Sequence, residues 1–247
     1  MFILSVLFFS CSDDNTIPIT LKDKEGTTIR LTYLNENEYS FPLQGGDGNY
    51  SVKSNDDKVV KAKMISAIDF RLTIIAVGET TVSITDNSQN TLVLNVVVDY
   101  LTNKFVIVKH NIEIVGGDLT ENEKQAIKEK YLAEIPVKVG GGYKFIYTDV
   151  FNESKAVIYP DTYGDKGIET TFTIKELENV EGVKAGAYEV AIQEEKRVFV
   201  LQRYYPSTKM TVSYPVALIE DITKKVQTEY PKAELVFTSQ VVDIPKE

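Results

Sequence analysis

Tryptophan is absent from this 247-residue sequence, and Cys and His occur once each, as Cys11 and His110. A lone Cys excludes a disulfide framework, and one Cys with one His cannot build a Cys/His zinc centre. The same scarcity removes most Ser-His and Cys-His nucleophilic machinery, because each needs a base beside its nucleophile. Basic residues are also in deficit: 27 Lys and Arg against 36 Asp and Glu leave a net charge of −9. The deficit is shared, with 8 basic against 13 acidic residues before Tyr100 and 19 against 23 from there on. Neither half offers phosphates a basic face, so nucleic acid is not an expected partner. Long apolar runs are missing too. The only one near the start, Phe2 to Phe9, is far short of the ~20 residues of a membrane-spanning helix.

What is present is an ordinary amount of core-forming material, 43% hydrophobic and 10% aromatic, enough for two domains at roughly 100–200 residues each. The run FILSVLFF reads as the apolar centre of a signal peptide. Ser10 and Cys11 follow it, and then Ser12, Asp13, Asp14 and Asn15. The only thiol thus stands where an apolar run meets an acidic stretch. The alternative, a buried structural Cys, finds no core to enter within residues 1–15.

This junction resembles the lipobox of bacterial lipoproteins, in which a small residue precedes a Cys that becomes the acylated N-terminus after signal cleavage. The acidic tetrapeptide resembles the surface-export signal of Gram-negative outer-membrane lipoproteins. The resemblance implies lipidation at Cys11, residues 1–15 as signal and tether, and lipid attachment to the outer membrane with the protein on the cell surface.

From Ile17 to Val98, apolar and polar residues alternate in short runs separated by turn residues, which predicts an all-β domain over residues 16–100. The expected strands are Ile17–Leu21, Thr28–Tyr33, Tyr39–Leu43, Tyr50–Lys53, Val59–Lys63, Arg71–Ala76, Thr80–Thr85 and Thr91–Val98. Seven or eight strands spaced by about ten residues point to an immunoglobulin-like sandwich. The stretches FPLQGGDGNYSVKSNDDKVVKA (Phe41–Ala62) and AVGETTVSITDNSQNTLVLNVVV (Ala76–Val98) resemble the bacterial Ig-like repeats of adhesins and surface lipoproteins. In that family a spacer role for the domain is implied.

Beyond YLTN (Tyr100–Asn103) the pattern changes in kind. A strand is expected at Lys104–Val108, with Asn111–Val115 as its continuation or a second strand, then a helix opened by the capping box Thr120 to Glu123 and running to about Ala133. Ile127, Tyr131 and Leu132 would form its apolar stripe. Further strands are expected at Ile135–Val139, Tyr143–Val150, Lys155–Tyr159, Glu169–Ile174, Ala187–Gln193 and Arg197–Arg203. A second helix is expected over Val216–Thr228, where Ala217, Leu218, Ile222 and Val226 fall at near-helical intervals, and Glu234–Val242 would close the domain. Residues 101–247 therefore read as an α+β domain, an antiparallel sheet with two helices packed on one face.

Candidate chemistry is thin. His110, in VKHNIEIV, lacks an identifiable partner and reads as a surface or rim histidine. The glycine runs Gly45-Gly46-Asp47-Gly48 and Gly140-Gly141-Gly142 read as hairpin turns, since the first opens no helix and the second lacks the Lys and Ser/Thr of a phosphate loop. Asp47, Asp56, Asp57, Asp161 and Asp165 lie in acidic loops. Counted from Asp161, calcium-loop positions 3, 6 and 12 are Tyr163, Lys166 and Phe172, which fails the EF-hand pattern. These carboxylates read as solvated, and neither a metal nor a cofactor is expected.

Ten of the fourteen Tyr lie beyond residue 100, and Tyr suits binding surfaces because it joins a large apolar area to a polar tip. Tyr163, in a polar turn, and the adjacent Tyr204 and Tyr205 are the candidate ligand contacts. The expected function is a non-catalytic surface lipoprotein whose Ig-like spacer presents the α+β domain to glycan or protein. The alternatives are a protein inhibitor, a structural subunit of a surface assembly, or a secreted hydrolase.

Overall fold

The computed structural model describes residues 17–34, 37–148, 152–178, 184–192, 195–203 and 216–245. The chain is mostly β and divides into two compact units at Asp99/Tyr100. A single residue, Leu101, separates the last strand of the first unit from the first strand of the second.

The first unit holds β1 (Thr20–Leu21), β2 (Thr28–Tyr33), β3 (Glu38–Gln44), β4 (Ser51–Ser54), β5 (Val60–Met64), β6 (Asp69–Ile74), β7 (Gly78–Thr85) and β8 (Thr91–Tyr100). They form two four-stranded sheets, ordered β1-β3-β6-β5 and β2-β8-β7-β4. Period-2 alternation places one face of every strand inside. Phe70, Leu72 and Ile74 of β6 are fully buried, as are Val82 and Ile84 of β7 and Leu94 and Val96 of β8, all in one cluster fed by both sheets. Burying each such side chain contributes about 1.5–3 kcal/mol. The Gly45–Gly48 run is a turn but not a hairpin, because it carries the chain from β3 in one sheet to β4 in the other. Gly45 is obligatory there: its φ is +83°, and a Cβ would lie 2.1 Å from the Pro18 carbonyl oxygen. Asp86 locks the same corner by accepting from the Asp47, Asn90 and Asn90 Nδ2 amides.

The second unit departs from an open sheet covered by helices. Its strands are β9 (Thr102–Val115), β10 (Gly142–Ile146), β11 (Ser154–Tyr159), β12 (Ile168–Glu178), β13 (Lys184–Ile192), β14 (Glu195–Arg203), β15 (Val216–Asp221) and β16 (Leu235–Asp243). Each pairs antiparallel with the next, and β16 pairs back onto β9, so the sheet closes into an eight-stranded barrel. Closure removes both sheet edges, and eight strands leave an interior just wide enough for side chains to fill. Tyr143, Phe145, Phe172, Phe199 and Leu218 fill it here, with Tyr188 beside them. Phe145 is central: its ring stacks on Tyr188 at 4.4 Å and meets Phe172 edge-on at 4.9 Å.

Asn111–Val115 continues the Lys104–Val108 strand, one of the two readings the sequence allows, with a β-bulge at the register shift against Val241/Val242. Three other sequence expectations are corrected. Ile135–Val139 is not a strand. Its peptide groups run as a loop, with Lys138 N bonded to Pro160 O, and Val137 dips into the barrel core. Gly140–Gly142 consequently joins a loop to β10 instead of turning a hairpin. The stretch expected as a helix over Val216–Thr228 splits into β15 and a short α2 (Thr223–Gln227), since Val216–Asp221 supplies the strand that both β14 and β16 pair with.

Helix α1 (Glu121–Ala133) has the expected capping box at Thr120. It buries Ile127 and Tyr131, while Leu132 is exposed, outside the stripe expected for it. Both helices enter a second cluster with Ala233 and with Ile112 of β9 and Val236 of β16, so they pack on these two neighbouring strands.

Candidate functional site

Polar groups inside a barrel must find one another, because water is excluded. Two sets do so. Asn103 Nδ2 donates to the hydroxyls of Tyr147 (2.9 Å) and Tyr188 (3.1 Å), which are themselves 2.9 Å apart. Burial, and then the Tyr188 hydroxyl, push the Tyr147 pKa up. Deeper, the fully buried Tyr143 donates to Gln240 Oε1 at 3.0 Å, and desolvation raises its pKa as well. Gln240 stands opposite His110 across the β16–β9 ladder, and the Nε2 atoms of both are buried with no hydrogen-bond partner. His110 is half-buried. Desolvation lowers its pKa against an opposing hydrogen bond with the Val137 backbone, which favours the neutral ring at pH 7.

The barrel wall is not uniformly laddered. The β12–β13 pairing runs from Glu178↔Lys184 to Phe172↔Val190 and stops, although β12 extends back to Ile168 and β13 on to Ile192. Across the gap Thr170 Oγ1 donates to the Ala191 carbonyl at 2.6 Å. On the other side of the hairpin, the β14–β15 pairing stops at Val200↔Ile219. There the strands are joined by Arg197 Nε donating to Glu220 Oε1 at 3.0 Å, with both side chains about one-tenth exposed (10% and 11%). Burial raises the Glu220 pKa, and Arg197 opposes the rise. Among the described residues, Val190–Ile192 and Glu195–Arg197 are thus held to β12 and β15 by side chains beyond the ends of the backbone ladders.

The seam between β12 and β13 opens into a cavity of about 260 Å³ lined by Pro136, Ile158, Pro160, Ile168, Glu169, Thr170, Ala191 and Ile192. Its walls are mainly aliphatic. Glu169 at the rim is exposed and makes no salt bridge among the described residues.

Tyr163 lies in the turn that joins two wall residues of this cavity, Pro160 and Ile168, yet its ring is half-buried. It packs 4.7 Å from the Tyr159 ring and over Gly142, its amide donates to Gly140 O at 2.8 Å, and desolvation raises its pKa. Tyr204, Tyr205 and Cys11 fall outside the described residues. Of the acidic-loop residues, Asp161 pairs with Lys138 at 2.6 Å, and Asp47 accepts from the Asn87 amide at 3.1 Å. Among the described residues no group of three or more His, Cys, Asp or Glu could hold a metal ion. Nor is any helix long and apolar enough to cross a membrane.

Sequence reasoning missed the seam. A signal for half of it was present: Arg197 sits at the same parity as Phe199 and Leu201, and Glu220 at the same parity as Leu218, so each places a charge on an inward strand face. Assigning Val216–Thr228 to a helix hid the second of them.

No protein-family model matches the chain, and no curated protein matches it. Among solved structures it is similar to the I-band fragment I67-I69 from titin, at 8% identity over 93% of this chain and 89% of that one, with a TM-score of 0.26. A likeness at that level carries no argument about fold or function.

Proposed function

We propose that this chain is a non-catalytic lipoprotein of the outer-membrane surface, anchored through Cys11. Residues 16–100 act as an immunoglobulin-like β-sandwich spacer, and the barrel of residues 101–247 meets a glycan or protein ligand. The observation that carries this reading is the place of the only thiol, between FILSVLFFS and SDDN. Two features of the structure support the rest. The two four-stranded sheets of the first unit share a single core, which suits a stiff spacer. In the barrel Arg197 is engaged with Glu220 and the Tyr143 hydroxyl with Gln240 Oε1, which suits a packed scaffold that recognises ligands at its surface.

Acyl chains bury about 0.8 kcal/mol per CH₂, so two or three chains make attachment effectively permanent. Labelled palmitate and detergent-phase partitioning test the anchor. The wild type is expected to take up label and enter the detergent phase, and Cys11→Ser is expected to do neither. Equal partitioning of the two overturns it, and turnover of any substrate by the purified chain ends the non-catalytic reading.

A further inference from the structure

The barrel closes on β9 from both sides, but not along the same stretch of it. Pairing with β16 runs from Val106 to Val115. Pairing with β10 runs only from Thr102 to Val106, and the loop before β10 adds two bonds at Ile107, whose N–H donates to Gly141 O and whose carbonyl accepts from Gly140 N. From Val108 to Val115 no backbone group bonds β9 on its β10 side among the described residues. Helix α1 is drawn the other way, to the β15–β16 connection. There Lys130 pairs with Glu229, Glu134 with Lys225 at 2.9 Å, and the Tyr131 hydroxyl donates to Lys225 O at 3.4 Å. The turn between β9 and α1 leans with it, since Asp118 pairs with Lys232 at 2.9 Å. This half of β9 is thus a sheet edge, and an open edge is a template for another strand.

The side chains along the edge select that strand. Ile112 is buried in the cluster under the helices, so by alternation Lys109, Asn111 and Glu113 lie on the outer face. Lys109 and Glu113 are exposed and make no salt bridge among the described residues. Antiparallel pairing with a second copy about a two-fold axis at Asn111 sets Lys109 opposite Glu113 of that copy, and Glu113 opposite its Lys109. Moving the axis to Lys109 or Glu113 brings like charges face to face, and moving it to His110 or Ile112 leaves neither charge opposite the other. One register is therefore favoured, because directly opposed charges of unlike sign stabilise a strand pair and like ones oppose it. A lysine alone would guard the edge against its own copy; the glutamate four residues on makes it self-complementary, as a two-fold interface requires.

We infer that the chain self-associates through this edge, two copies pairing antiparallel over Lys109–Glu113 with Lys109 of each against Glu113 of the other. This goes beyond the surface-lipoprotein reading and does not depend on Cys11 or on any glycan or protein ligand. A contact of one short strand is at the small end of protein interfaces, so the dimer is expected to dissociate at about 10–100 µM.

The test is equilibrium sedimentation of the full chain bearing Cys11→Ser, so that lipid attachment plays no part. That chain is expected to pass from monomer to dimer with rising concentration. Lys109→Glu and Glu113→Lys are each expected to weaken the dimer at least fivefold at an unchanged melting temperature, since both positions are exposed and each change sets two like-charge pairs across the axis. The double variant Lys109→Glu/Glu113→Lys is expected to return within twofold of the parent. An equimolar mixture of the two single variants is expected to form a one-to-one heterodimer, because each then presents the charges the other needs. A parent chain still monomeric at about 500 µM overturns the inference. So does a dimer that neither single variant weakens, which would lie on another surface, or a mixture that associates no better than its components.

Discussion

Removing Arg197 should be among the most damaging single changes to the barrel, and removing its partner along with it should repair most of the damage. Arg197 Nε lies 3.0 Å from Glu220 Oε1, both side chains are about one-tenth exposed, and among the described residues the other Glu220 oxygen is met by Thr238 Oγ1 at 3.5 Å. Arg197→Met leaves a buried carboxylate without its counterion, a change that costs about 3–5 kcal/mol. For a chain of this size that corresponds to a fall of roughly 10 °C in melting temperature, at ~2–4 °C per kcal/mol. The double variant Arg197→Met/Glu220→Leu exchanges the pair for apolar groups and should come out near wild type or above it.

The pH dependence carries the sign. Burial raises the folded-state pKa of Glu220 above its ordinary value of 4.5. Its contribution to stability is therefore fully present below that value and is lost as pH rises through the folded-state pKa. Arg197 holds the rise in check, so Arg197→Met moves the folded-state pKa higher still. The variant's deficit should be large at pH 8 and shrink towards pH 5 as the carboxyl takes up its proton. Urea unfolding followed by tyrosine fluorescence reads mainly the second unit, since ten of the fourteen Tyr lie beyond residue 100 and Trp is absent. A single variant as stable as the double, or a deficit that does not change with pH, would show that water reaches the pair and would refute the argument.

Tyr163→Ala should lower the melting temperature, at a cost of about 1–2 kcal/mol, because the ring packs on Tyr159 and over Gly142. A Tyr163→Ala variant that melts like wild type but loses ligand binding would return Tyr163 to the role of an exposed contact. Gly141→Ala should destabilise the barrel by about 1–3 kcal/mol, since a Cβ there would sit 2.4 Å from Tyr159 O and 2.8 Å from Pro160 O, backbone atoms that cannot step aside. Calorimetry of that variant with an unshifted transition would mean that the loop over Val137 rearranges freely.

The sequence by itself determined the strands of the first unit to within two residues, apart from the start of β1, because each buries one face and the period of two is written in its side chains: Thr28–Tyr33 and Thr91–Val98 recur as β2 and most of β8. It also determined α1, whose start depends on a local bond between Thr120 and Glu123. Tertiary structure alone decided that the second sheet closes. VALIED carries apolar residues at intervals compatible with either helix or strand, and only the partners waiting on both sides, Gln202↔Ala217 and Ala217↔Val241, resolve it as β15. The seam was likewise invisible, because where a ladder ends depends on the curvature of neighbouring strands, and no residue within Ile168–Phe172 or Val190–Ile192 announces that its partner has moved away. Strand and helix starts are local matters of pattern and capping. Closure, buried ion pairs and cavities arise between segments far apart in the chain, and there the fold decides what each residue is for.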